Sequence, residues 1–451
     1  MDDRTVLPSW QGLARPEHGR SGNGQWENGQ SGNGLSANGS SGNGTSGTPV
    51  PDDAPVVVHR YRLSLETAVS LRTDGSGWTC VPERSAGGSV AAEEWVEAEE
   101  GDGAAQAFVD LLRYEELPSV PGFRVVRLAP PPEATGERAM NPDRADGRTH
   151  SNVVVGERVV VAWMRRTVDA PHPGSVTLQH LAEHEFMGVP ELYGLLLWRT
   201  PEGHEVPVAT AARYLPRSRD GWGWAGDLLD VSAGLATSPV PVGTPPAGVD
   251  LSPVELPARL GRLVAKLHLT LATPSAVDPE PTAAADAADV RDWQRRARAE
   301  LGPDGADADV LDTLADDVAA GRSRVLVQRV HGDLHVGRVL RWTRGLSVVG
   351  FDAAPAAPHL TGATMLRPAA VDVARLLGSL ARVAEAGSRR PEMPAEAPWA
   401  WYRGAREQVL VAYRAALAAE DREDLLDDRL LAVFEAAELA HASPAQPAGS
   451  R

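Results

Sequence analysis

The residues best suited to chemistry lie in the stretch QRVHGDLHVGRVL, which runs from residue 328 to residue 340. Asp333 stands at its centre, and apolar runs at 325–330 and 346–351 flank it, which favours a loop between two strands. A hydroxyl group is a poor nucleophile, so an enzyme that phosphorylates one uses a carboxylate to orient it and accept its proton. Asp333 is the candidate for that role. The alternative is that His-Gly-Asp only caps a turn through hydrogen bonds.

The elements that must position this loop change in character along the chain. Strands are predicted mainly in the first half, at 56–65, 123–128, 153–155, 159–164, 191–198 and 205–215. Gly156, between two of them, suits a two-residue type II′ hairpin turn. Helices dominate after residue 215, and the predicted helical segments are 108–114, 178–186, 256–271, 290–320, 371–383 and 401–417.

Composition limits the classes of protein that this chain can belong to. It has 451 residues, a net charge of −17, one cysteine (Cys80) and one lysine (Lys266). The acidic balance argues against nucleic acid as a partner, and no apolar run is long enough for a membrane span. The first residues, MDDRTVLPSWQGL, lack the features of a signal peptide. We therefore predict a cytoplasmic protein with neither a nucleic acid nor a membrane partner.

Four stretches together carry a resemblance to a known family: SNVVVGERVVVAWMRR at 151–166, YLPRSRDGWGWA at 214–225, VHGDLHVGRVLRW at 330–342 and DVARLLGSL at 372–380. The chain resembles the actinobacterial maltokinase and glucosamine kinase family, relatives of the aminoglycoside phosphotransferases. The resemblance implies an α+β, two-lobed protein-kinase-like fold with an N-terminal β-rich cap. It also implies transfer of the ATP γ-phosphoryl group, with Mg²⁺, to a hydroxyl of a small-molecule sugar, maltose or an amino sugar.

The same resemblance divides the chain into four parts. Residues 1–54 are an Asn-Gly-rich tail with a five-residue repeat, which has little to bury and is predicted to be disordered. The cap covers 55–130, the N-lobe with a linker covers 131–215, and the helical C-lobe with the catalytic loop covers 216–445.

Carried over residue by residue, the family's catalytic Asp falls on Asp333. Its metal-binding amide, five residues further on, falls on Arg338, whose guanidinium has no lone pair for a hard cation. The metal-binding acid of the family's Asp-Phe-acidic-Gly stretch falls on Gly350, because the segment here reads GFDA at 350–353. Asp352 matches the second acid. It is the predicted metal ligand, since a shift of two residues along a strand keeps the same face.

The family's ATP-binding lysine falls on Ala162, which cannot donate to a phosphate. Arg165 lies three residues along the strand, about 10 Å away and on the opposite face, and Arg166 is more distant. Lys266 lies in a predicted helix, so no lysine fills this position. Two hypotheses stay open: a sugar kinase with a rewired ATP site, in which Arg338 neutralises phosphate directly, or a pseudokinase that binds a sugar or a protein partner.

Two other patterns have weaker interpretations. GWGWAG at 221–226 matches GxGxxG, but no strand precedes it, so packing tryptophans are favoured over a dinucleotide site. His180 and His184 share a helix face at the spacing of a metal pair, but no third ligand is evident, and two solvated histidines are the favoured interpretation.

Overall fold

The structure is a computed structural model, and it describes residues 56–73, 77–87, 94–114, 117, 119–140, 150–167, 170, 172–237, 252, 254–301, 309–351 and 366–442. The predicted tail at 1–54 lies outside these residues. The predicted metal ligand Asp352 lies outside them as well.

Strands are concentrated in the first half of the described chain, and helices in the second. The strands are β1 (Val56–Arg62), β2 (Thr67–Thr73), β3 (Trp78–Ser85), β4 (Trp95–Glu97), β5 (Phe123–Arg127), β6 (Glu137–Ala139), β7 (His150–Val155), β8 (Val159–Met164), β9 (Arg166–Thr167), β10 (Leu192–Arg199), β11 (Glu205–Arg213), β12 (Thr282–Ala284), β13 (Leu326–Gln328), β14 (Val339–Trp342) and β15 (Gly345–Val348). The helices are α1 (Ala104–Leu111), α2 (Pro173–Glu183), α3 (Gly221–Ser232), α4 (Leu256–Leu271), α5 (Ala287–Leu301), α6 (Val310–Ala319), α7 (Ala370–Ser388), α8 (Ala397–Ala418) and α9 (Asp428–Ala442).

Two antiparallel sheets share one apolar core. The first is five-stranded, in the order β1-β2-β3-β4 with β9 also paired to β3, and the second is six-stranded, in the order β5-β10-β11-β8-β7-β6. Because side chains alternate along a strand, the six-stranded sheet has two buried faces. Trp163 and Trp198 point into the core shared with the first sheet, whereas Leu195 and Leu197 pack in the core of the helices.

The hairpin between β7 and β8 differs from the sequence-based expectation. Gly156 and Glu157 both have positive φ, at 55° and 53°, and three residues separate the paired Val155 and Val159. Two left-handed central residues define a type I′ turn, so the prediction of a two-residue type II′ turn is wrong. A Cβ on Gly156 would lie 2.8 Å from the Cα atom of Ala134. This distant neighbour, which no local pattern reveals, requires the glycine.

The helices pack around α7 and α8. Helix α8 lies against α4, and α7 lies between α8 and α9. The apolar stripe of α4 is buried as its spacing predicts, from Leu256 to Leu271, while Lys266 is exposed on the opposite side. Two short hairpins, β12–β13 and β14–β15, stand beside these helices, and the loop from β13 to β14 carries Asp333.

The α+β class follows from this combination of antiparallel sheets and packed helices. Several elements have no counterpart among the predicted ones: strands β2, β3, β4, β6, β9, β12 and β14, and helices α3 and α9. Strand β5, at 123–127, pairs with β10 in the six-stranded sheet, and the domain boundary at residue 130 stays a prediction. None of the helices in the described part of the chain is both long and apolar enough to cross a membrane.

Candidate active site

The loop that carries Asp333 is fastened to the first turn of α7 by one buried carboxylate. The backbone N–H groups of His331 and Gly332 donate to the two oxygens of Asp372, at 2.7 and 2.9 Å. Asp372 has no exposed surface. Gly332 has a φ of 82°, a left-handed conformation that glycine adopts without strain. The aspartate therefore fixes the backbone immediately before Asp333.

A buried chain of polar groups supports Asp372 in turn. His268 Nε2 lies 3.2 Å from Asp372 Oδ2, and His268 Nδ1 lies 2.7 Å from the Tyr413 hydroxyl. Burial opposes ionisation of Asp372, but the hydrogen bond and charge of His268 outweigh it and hold the pKa of the carboxyl below its usual value. The loop is thus tied to α4, α7 and α8 at once.

The second half of the loop packs on α3 and α7. Val336 N–H donates to Ser379 Oγ at 2.9 Å. The ring of His335 stacks on Trp222, with centroids 5.7 Å apart. Gly221 permits this close approach, since a Cβ there would lie 1.7 Å from the Val336 carbonyl oxygen. The GWGWAG stretch therefore opens helix α3 and packs against the loop, as the packing interpretation predicts.

Asp333 reaches the surface, with 23% of its side chain exposed, and is surrounded by cations. Arg338 Nη2 donates to its Oδ2 at 2.8 Å, and Arg375 Nη1 lies 3.6 Å from its Oδ1. Burial raises the pKa of Asp333, but the hydrogen bond and charge of Arg338 outweigh this and lower the pKa overall. Burial lowers the pKa of His335 to about 4, so its imidazole is neutral near pH 7. The carboxylate is ionised and able to accept a proton.

Ala162 lies on the face of the six-stranded sheet that is turned toward the helices. It pairs with Thr210, which pairs with Leu195 of the helical core. A side chain at this position would point to the helix-facing side of the sheet, but alanine carries no charge. Arg166 belongs to β9 and pairs with Thr79 of the other sheet, and Arg165 is exposed. An arginine substitute at the lysine position is therefore not supported.

Arg338 and Gly350 fit each other closely. Gly350 has a φ of 91°, and a Cβ there would lie 2.9 Å from both Cδ and Nη1 of Arg338. The guanidinium therefore occupies the space between residue 350 and Asp333. Among the described residues, no group of three or more His, Cys, Asp or Glu side chains could hold a metal ion. Arg338 and Gly350 supply no side-chain oxygen for a divalent cation beside Asp333.

The interpretation as solvated histidines is wrong for His180. Its side chain is fully buried, with Nε2 at 2.9 Å from the Thr270 carbonyl and Nδ1 at 2.9 Å from Ser275 Oγ. The predicted helix shows the spacing of His180 and His184, but not the loop after α4 that contacts His180. His180 is a structural residue with both ring nitrogens engaged.

A cavity of about 150 Å³ opens beside Asp333, between α5, α7 and α9. Arg375 forms part of its wall and also contacts Asp333, so this guanidinium lies next to both the cavity and the carboxylate. Trp293 and Phe434 supply aromatic surface. The charged side chains of the lining are Asp289, Asp292, Arg296, Glu300, Arg367, Arg375 and Glu438.

Sequence reasoning found Asp333 but missed the residues that hold it. Asp372 and Arg375 both lie in the DVARLLGSL stretch, which contributed to the resemblance without any assigned role. The available signal was an acidic residue in the first turn of a predicted helix, a position that favours bonding to nearby N–H groups. Nothing local identified which N–H groups these are.

Comparisons with known proteins give consistent results. No protein-family model matches the chain. It is 32% identical over 379 residues to the glucosamine kinase of Streptacidiphilus jiangxiensis, covering 79% of each chain. It is 31% identical over 312 residues to that of Mycolicibacterium smegmatis, covering 66% of this chain and 72% of the other.

Solved structures agree with these sequence comparisons. A glucosamine kinase in complex with glucosamine, ADP and inorganic phosphate matches with a TM-score of 0.65 and 28% identity, over 87% of this chain and 90% of the other. Crystal form A of a glucosamine kinase matches with a TM-score of 0.63 and 29% identity, over 85% and 87%. The predicted α+β, kinase-like fold is confirmed.

Proposed function

The chain belongs to the glucosamine kinase family, and from this we propose that it phosphorylates a hydroxyl of an amino sugar, with ATP as the donor. A bond forms between the sugar oxygen and the γ-phosphorus while the bond to the β-phosphate oxygen breaks. ADP leaves, and the proton of the hydroxyl passes to Asp333. Glucosamine is the acceptor that the relatives suggest.

The position of Asp333 carries the proposal. Its carboxylate is ionised and partly exposed, and Asp372 fixes the backbone that precedes it. Phosphoryl transfer depends mostly on the positioning of the reacting groups and on charge. A carboxylate that a buried network holds in place therefore meets the main structural requirement of the reaction.

The neighbouring cavity supports a small, cationic acceptor. Its lining has four carboxylates, those of Asp289, Asp292, Glu300 and Glu438, against three guanidiniums, so its net charge of about −1 favours an ammonium group. The ring centroids of Trp293 and Phe434 lie 6.4 Å apart, and such aromatic surface packs against the apolar face of a sugar. An amino sugar combines the two properties.

The test is ADP formation from ATP with glucosamine, N-acetylglucosamine or maltose as acceptor, with and without added Mg²⁺. We expect turnover with glucosamine, and weaker turnover with N-acetylglucosamine, because acetylation removes the positive charge. Asp333→Asn should lower turnover by about 10²- to 10⁴-fold. Asp230→Asn is the matched control, since Asp230 is 26% exposed and also paired with an arginine. Absence of ADP with every acceptor would contradict the proposal.

A pseudokinase is the second candidate, and one observation favours it. Ala162 offers no phosphate ligand on the sheet face turned toward the helices. A protein of this kind would bind glucosamine or ATP without turnover. The ADP assay together with calorimetry separates the two functions, because sugar binding without ADP formation would favour the pseudokinase.

A further inference from the structure

The cluster of charges around Asp333 is cationic before any ligand arrives. Three guanidinium groups, those of Arg338, Arg375 and Arg382, face the two carboxylates of Asp333 and Glu438. Two positive charges within a few ångströms repel each other unless anions intervene. Apart from the buried Asp372, the guanidiniums outnumber the carboxylates by one, so they repel a divalent cation and attract an anionic phosphate.

Arg338 has unused hydrogen-bonding capacity in this cluster. Its Nη2 donates to Asp333, while its Nε is buried and lacks a hydrogen-bond partner within the described residues. The side chain is 31% exposed, so the guanidinium also reaches the surface. Arg375 differs, because it already donates to the Gly332 carbonyl and pairs with both Asp333 and Glu438.

We propose that Arg338 is the resident cation of this site: its guanidinium binds a nucleotide phosphate directly, and nucleotide binding does not require a divalent metal ion. The guanidinium of Arg338 lies close to Gly350 on one side and donates to Asp333 on the other, so it fills the space beside the carboxylate. Arginine binds phosphate through charge-assisted hydrogen bonds, and it keeps its charge at every physiological pH. The inference takes only the identity of the nucleotide from the proposed function.

The test is ATP binding by calorimetry to the full chain, without sugar, in EDTA and in MgCl₂. We expect wild-type affinity to differ by less than about threefold between the two buffers, since no metal contributes. Arg338→Gln should weaken binding in EDTA by about 10- to 100-fold, the effect of losing a charged hydrogen bond. Arg338→Lys, which keeps the charge but not the fork of donors, should lie between the two.

Arg390→Gln is the matched control, because Arg390 is 23% exposed and paired with a carboxylate at another surface. It should bind ATP like the wild type. The inference is overturned if wild-type binding requires Mg²⁺, if neither buffer gives binding, or if Arg338→Gln binds as tightly as the control. If Arg338→Gln fails to fold, the wild-type comparison and Arg338→Lys still decide.

If the wild type loses ATP binding in EDTA, and Asp352→Asn loses it even in MgCl₂, the metal site predicted at Asp352 would be established. That result would overturn the inference. Sugar phosphorylation is measured separately, so the two proposals can fail independently. Metal-free binding that depends on Arg338 but gives no turnover would support this inference and contradict the kinase.

Discussion

Replacement of Asp372 by asparagine should weaken the fold and the catalytic loop together. Each carboxylate oxygen accepts a backbone N–H, from His331 and Gly332, and one also contacts His268. Asparagine keeps one acceptor and places an amide donor against an N–H donor at the other position. Hydrogen bonds to a charged group contribute about 1.5–3 kcal/mol each, and loss of one partner of a buried charged pair costs about 3–5 kcal/mol. We expect the free energy of unfolding to fall by about 3–5 kcal/mol.

The assay for Asp372→Asn is urea unfolding followed by tryptophan fluorescence. Trp222 stacks on His335, so its emission also reports on the loop. Asp230→Asn is the control, and because Asp230 is 26% exposed we expect a loss of no more than about 1 kcal/mol. A loss below about 1 kcal/mol for Asp372→Asn would refute the reasoning, because the buried carboxylate would then not hold the loop.

Three further perturbations test other parts of the structure. Burial lowers the pKa of His335 from 6.5 to about 4, so as the pH falls the unfolded chain binds the proton before the folded chain does. The free energy of unfolding should therefore decrease from its pH 7 value between pH 6.5 and about 4, by roughly 2–3 kcal/mol. His335→Gln should reduce this pH dependence, measured as urea midpoints at pH 7 and 5. Gly350→Ala should lower the melting temperature, because Gly350 has a φ of 91°, and it should weaken metal-free ATP binding, because the new Cβ would displace the Arg338 side chain. The control is Gly404→Ala, which has nothing within 4 Å of the new Cβ and should leave binding unchanged. Glu83→Gln should cost about 2 kcal/mol in chemical denaturation, because the 1% exposed carboxylate pairs with two arginines in the first sheet; an unchanged midpoint would show that those arginines are satisfied by water.

Much of the fold could be predicted because its signals are local. The apolar stripe of α4 and the alternation of β8 each follow from the repeat of a single element. The Asp333 loop was identifiable in the same way, because apolar runs flank it. Strand β12 was missed, since its three residues are paired with β13 from more than 40 positions away.

The supporting residues of the site could not be predicted for the same physical reason. Asp372 bonds to backbone groups about 40 residues earlier in the chain, and His268 reaches it from about 100 residues earlier. These contacts exist only after α4 and α7 have packed. His180 shows the same dependence, because the loop after α4 makes it a buried residue instead of a solvated one.

The structure also changes how the departures from the family pattern should be counted. Arg338 and Gly350 look independent in the sequence, but a Cβ at 350 would lie 2.9 Å from Cδ and Nη1 of Arg338, so a side chain there would have to shift the guanidinium. They form one packed arrangement, and it compensates the charge of Asp333 at 2.8 Å. Ala162 remains a separate loss, since it lies in β8 of the six-stranded sheet and takes no part in this ion pair. A site that had merely decayed would leave Asp333 without a cation; here one cation has been fitted in place of another, which favours a rewired kinase over a degenerate one.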